Sequence, residues 1–76
     1  MTAGEYMEML QNRRRYHLRR LVAGAESQGD LAKRAGMHQE QVSKILAGRM
    51  PFTEFRARKV EQFLGLAFGL LDKEVS

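Results

Sequence analysis

Apolar residues recur along this chain at three- and four-residue intervals, and no stretch alternates apolar and polar residues as a half-buried strand would. Glycines and the single proline, Pro51, divide the pattern into helix-sized pieces. Thr2, followed three residues later by Glu5, forms a capping-box signal that opens a helix running to about Ala23. Its inward positions are Leu10, Leu18, Leu21 and Val22, and Gly24 is expected to supply a left-handed terminating residue. The run Arg13–Arg14–Arg15 is placed on its solvated face. Ser27 with Asp30 is read as a second capping box, starting a short helix stopped by Gly36. His38 is a plausible cap for a third, Gln39 to Ala47, ended by Gly48. Thr53 caps a fourth, with an apolar stripe of Phe55, Val60, Phe63 and Leu64, and Gly65 breaks it. Residues 66–74 then predict a last, very apolar helix. The expectation is one all-α domain over residues 1–76, a compact bundle of five helices.

Residues 28–48, QGDLAKRAGMHQEQVSKILAG, carry the most specific pattern. Two short helices that cross steeply over a tight turn impose demands at fixed offsets. A small residue is needed where the second helix passes over the first, and Ala32 offers a bare methyl. The turn needs positive φ, which Gly36 adopts without steric cost. Met37 can plug the corner. Val42 and Ile45 turn inward, and Leu31, Ala35 and Leu46 complete the seal. Each feature alone is weak, but all of them in register are specific.

That orientation leaves Gln39, Glu40, Ser43, Lys44 and Ala47 on one outward face of the third helix. Glutamine can pair bidentately with adenine, lysine can donate to guanine, and glutamate can accept from the cytosine amino group. The plainer alternative is a surface Glu40–Lys44 pair at i,i+4 with no wider role.

Charge sharpens the picture. The net charge is +4, but residues 1–59 carry 12 Lys and Arg against six acids, while residues 60–76 carry Lys73 against Glu61, Asp72 and Glu74. A basic body with a slightly acidic, apolar tail suits a polyanion on one side and a protein on the other. There is no cysteine, and His17 and His38 stand apart without an acidic cluster, so no metal or other cofactor is expected. No nucleophile–base set or phosphate-binding glycine loop is visible, which speaks against an enzyme or a small-molecule ligand. No apolar run reaches the ~18 residues of a membrane span, and the N-terminus does not read as a signal peptide. Together these point to the cytoplasm and away from membranes.

The motif resembles the Cro- and lambda-repressor-like helix-turn-helix family. The likeness extends to LRRLV at the end of the first helix, the turn GRMP, the helix FRARKVEQFLG and the closing LGLAFGLLD, and so covers roughly residues 10–72. The resemblance implies a third helix in the major groove of double-stranded DNA, with Gln39, Glu40 and Lys44 at base-contacting positions and Ser43 beside them. It gives Gln28 a phosphate contact that braces the reading helix. Arg49 is the foremost further phosphate contact; Arg56 and His38 are secondary candidates. Residues 1–9 match nothing in the family.

Leu66, Phe68, Leu70 and Leu71 are more apolar bulk than a short terminal helix can bury against its own domain. Leu71 and Leu66 are expected to reach the core and Phe68 and Leu70 the surface. In the resembled family the last helix often pairs with its twin, so Phe68, Leu70 and Leu66 are candidates for a homodimer interface serving a palindromic operator. The function this supports is a transcriptional regulator, a repressor of Cro type. The rival is an antitoxin or protein-interaction module that uses the same fold to bind a partner protein.

Overall fold

In the computed structural model, which describes residues 1–75, each helix starts where a side chain can occupy the free backbone N–H groups. Helix α1 spans Ala3–Ala23, and the Thr2 hydroxyl accepts from Glu5 N–H while the Glu5 carboxylate accepts from Thr2 N–H. Helix α2 (Gln28–Arg34) starts at Ser27, whose hydroxyl accepts from Asp30 N–H. Only that half of the expected box forms, because Asp30 turns instead toward Arg34, 3.7 Å away. Helix α3 (Gln39–Leu46) starts at His38, whose N–H donates to the Gln41 side chain. Helix α4 (Glu54–Leu64) starts at Thr53, which accepts from Arg56 N–H.

Three glycines end helices in the left-handed region: Gly36 at φ 70°, Gly48 at 75° and Gly65 at 69°. After α2, Met37 N–H reaches Ala32 C=O and Gly36 N–H reaches Lys33 C=O, the paired closure of a Schellman end. Gly24 departs from expectation. It stays right-handed at φ −87°, bonded to Arg20 C=O, so α1 frays into a loop without a reversal.

Leu18 from α1, Leu31, Ala32 and Ala35 around α2, Val42 and Ile45 from α3 and Ala57 and Val60 from α4 are buried, joined by Phe52 and Leu71. Leu21, Val22, Met37, Leu46 and Leu64 pack partly against them. Phe52 is seated by α1 at both its backbone groups: its N–H donates to Gln11 Oε1 at 2.7 Å, and its C=O accepts from Arg14 Nη1 at 3.0 Å.

Two sequence expectations about burial are corrected. Phe55 and Phe63 do not line the core; they are 72% and 58% exposed. The inward stripe of α4 is Ala57, Val60 and Glu61, and Phe55, two residues before Ala57, falls on the opposite side of the helix, while Phe52, just before it, is fully buried. Arg14 is not on the solvated face. It is 2% exposed and points inward to Asp72, with Nε–Oδ1 at 2.6 Å and Nη2–Oδ2 at 2.9 Å.

The fifth helix over 66–74 does not form. Four α-helices are followed by a three-residue 3-10 turn, Leu70–Asp72. Gly69, at φ 82°, breaks the run again four residues after Gly65. The Glu61 carboxylate takes over the segment's free donors, accepting from Gly69 N–H and Leu71 N–H, both at 2.9 Å. Arg58 closes the set, reaching Glu61 at 2.9 Å and Asp72 at 2.9 Å. The Glu61 carboxylate thus does what helical carbonyls would have done.

Candidate nucleic-acid interface

The geometry of α2 and α3 follows from what each buries. Ala32 and Ala35 present only methyls to the crossing, and Val42 and Ile45 are fully buried against them. Gly36 is required twice over: its φ is left-handed, and a Cβ there would stand 2.8 Å from the Phe63 ring. The exposed Phe63 is therefore a lid on the α2–α3 turn.

With Val42 and Ile45 inside, Gln39, Glu40, Ser43 and Lys44 are all exposed on the opposite side of α3. The Glu40–Lys44 ion pair of the plainer alternative is not among the side-chain ion pairs within 4 Å of the described residues. Both groups are thus open to other partners. Gln39 leans back across the gap to α2, with its Oε1 only 3.0 Å from where a Cβ on Gly29 would lie. Its neighbour Gln28 is half-buried at the first position of α2, beside that contact. Helix spacing singles out Gln39 and the family resemblance Gln28, but neither points to Gly29, whose missing Cβ leaves room for the Gln39 amide.

The secondary candidates separate. Arg49 is exposed just past the end of α3, where its N–H closes the helix on Lys44 C=O at 2.8 Å, leaving the side chain outward. His38 is exposed at the α3 start. Arg56 is half-buried and its Nη1 donates to Pro51 C=O at 3.0 Å, so it braces the turn after α3 before it can meet a phosphate. Arg19 had drawn no specific expectation, yet its Nη2 reaches Leu46 C=O at 3.5 Å, putting positive charge at the negative end of the α3 dipole. No helical-periodicity signal could have found it, since the contact joins residues 27 apart.

In the tail, Leu71 is fully buried and Leu66 packs partly on the core, while Leu70 is half-buried. Phe68 is 83% exposed, with the Arg58 guanidinium 5.0 Å from its ring centre. Hydrogen bonds from Arg14, then from Arg58, hold the Asp72 carboxyl below the usual carboxylate range against the opposing effect of burial. The same bond raises the Arg14 guanidinium.

Among the described residues no cluster of three or more His, Cys, Asp and Glu could hold a metal ion, and no helix is long and apolar enough to cross a membrane. Two short helices at a glycine turn, with a polar outward face on the second, define a helix-turn-helix DNA-binding domain. Residues 27–71, more than half of the chain, match the helix-turn-helix family HTH_3, and the chain belongs to that Cro/C1-type family of DNA-binding transcription regulators. Nothing matches it among the curated proteins or among the solved structures.

Proposed function

We propose that the protein is a Cro-like repressor that binds a palindromic double-stranded DNA operator as a homodimer. The observation that carries this reading is the outward face of α3, where Gln39, Glu40, Ser43 and Lys44 are exposed together and unpaired while Val42 and Ile45 fix the helix orientation. Gln39 and Lys44 read base edges, Glu40 selects between them, and Gln28 and Arg49 hold the phosphates on either side. Phe68, with Leu66 and Leu70 beside it, is the surface through which two copies pair. Pairing sets the two reading helices about one DNA turn apart.

Selection from random duplexes, followed by competition binding, tests the reading. Lys44→Ala should cost ~1–3 kcal/mol on the selected operator and much less on scrambled DNA. Equal losses on both would move base reading away from α3. A second reading, binding of a partner protein as in antitoxins, draws on Phe55 and Phe63. They are exposed aromatics on α4 for which DNA has no use. Gel filtration with and without operator separates the two, because a monomer without DNA affinity fits only the second.

A further inference from the structure

The proposed function assigns no base reading to the outward face of α1, and its side chains form a self-complementary series. Residues 1–12 contain Glu5 and Glu8 and no Lys or Arg; residues 13–23 contain five arginines and no acid. Opposite the buried Arg14 and Leu18 lies a stripe of Glu5, Met9, Asn12, Tyr16 and Arg20, spaced by four, three, four and four residues along one helix face. Tyr16 is 41% exposed with the Arg20 guanidinium 6.0 Å from its ring centre, and Met9 is half-buried. A groove of about 560 Å³ runs along the stripe, with Met9, Tyr16 and Val75 among its apolar lining and Glu5, Glu8 and Glu74 among its acids. The first eight residues are exposed, so the N-terminal two turns of α1 project beyond the domain that should support them.

We infer that this face is a second self-association surface, on which α1 of one copy lies antiparallel to α1 of another about a two-fold axis between Asn12 and Arg13. That axis sets Glu5 opposite the partner's Arg20 and Met9 opposite the partner's Tyr16, each pair occurring twice. Arg13 does not oppose its twin at the axis, because its Nη1 is drawn aside toward Asp72 C=O at 3.4 Å. Parallel pairing would stack the arginine-rich halves on each other, so charge selects the antiparallel arrangement. The stripe from Glu5 to Arg20 is about 22 Å long at 1.5 Å per residue, which makes a small interface, below the ~1,200 Å² total of stable complexes. It associates weakly in isolation and contributes most when DNA holds neighbouring copies close together. With the tail as the other two-fold contact, alternating faces link dimers into larger assemblies.

The test is independent of the tail, because Phe68→Asp removes that contact. In this background Asn12→Cys introduces the only thiol of a cysteine-free chain beside the proposed axis. Mild oxidation should cross-link most of the concentrated protein, while Ala23→Cys, also exposed on α1 but distant from the axis, should stay monomeric. Adding Arg20→Glu should slow the Asn12→Cys cross-link about tenfold by opposing Glu5 with a like charge at two places. Further addition of Glu5→Gln, which retains an acceptor for Thr2 N–H, should restore most of the rate. Thermal melts of all variants should match the parent, since these positions are exposed. Cross-linking no faster than the Ala23→Cys control would overturn the proposal. Insensitivity to Arg20→Glu would overturn the antiparallel register.

Discussion

The α2–α3 pair and the C-terminal segment pack into the same core with opposite chemistry. Between α2 and α3 the seal is wholly apolar, made of Leu31, Ala32, Ala35, Val42 and Ile45, and polar side chains remain outside it. The C-terminal segment is tied down by charge: Glu61, 2% exposed, holds two of its backbone N–H groups, and Asp72 is gripped by Arg14 and Arg58. An apolar seal leaves the polar groups on the outward face of α3 free to meet a ligand. An ionic latch commits its polar groups to holding one conformation, at a desolvation cost that hydrophobic residues of similar shape would not incur. The first arrangement permits the outer face to change without consequence for folding; the second does not.

The largest test of that contrast is Glu61→Ala. It leaves Arg58 partly buried and two N–H groups without an acceptor, and should cost ~3–5 kcal/mol in urea or thermal melts. A loss below 1 kcal/mol would mean that the segment is held by Leu71 alone. On the apolar side, Ala32→Leu should overpack the helix crossing and cost ~1–3 kcal/mol, with DNA affinity falling only as far as folding does. Unaltered melting would show that the crossing has slack.

pH separates the two regions more finely. Asp72 is held below its ordinary value in the folded state, so its contribution is fully present above the unfolded carboxylate pKa of ~3.9 and is lost as pH falls through the depressed native value. Stability should therefore decline below about pH 4, and Asp72→Asn should flatten that decline. Ala32→Leu should shift the whole stability–pH curve down without changing its shape. The smallest effect concerns the reading side alone. Arg49→Ala should make the slope of log affinity against log salt shallower by ~0.9 per subunit, with the preferred sequence and the melting temperature unchanged. A changed preference with an unchanged slope would make Arg49 a base reader.

The same contrast explains what was legible in the sequence. Thr2 with Glu5, Ser27 and Thr53 mark helix starts, and Gly36, Gly48 and Gly65 mark stops, because caps act on neighbours a few residues away. The outward face of α3 followed from Val42 and Ile45 for the same local reason. Arg14 was hidden within a run of three arginines, since periodicity assigns charge to solvent and its partner lies 58 residues on. The tail read as a helix because its composition is apolar, while the carboxylate that holds its non-helical backbone belongs to α4. Phe52 and Phe55 are chemically alike and three residues apart, and Phe55 is exposed because the buried side of α4 is the one carrying Ala57, Val60 and Glu61.

Gly29 lies under the Gln39 amide, and a methyl there would push against the oxygen of that amide. Alanine would suit α2 better, by roughly 0.5–1 kcal/mol. A more stable variant at this position would thus hold its glutamine differently, with the amide displaced by tenths of an ångström on the face proposed to read DNA. If Gln39 reads bases as proposed, Gly29→Ala should alter the preferred sequence from a position on the neighbouring helix, and attempts to stabilise the domain should leave position 29 alone.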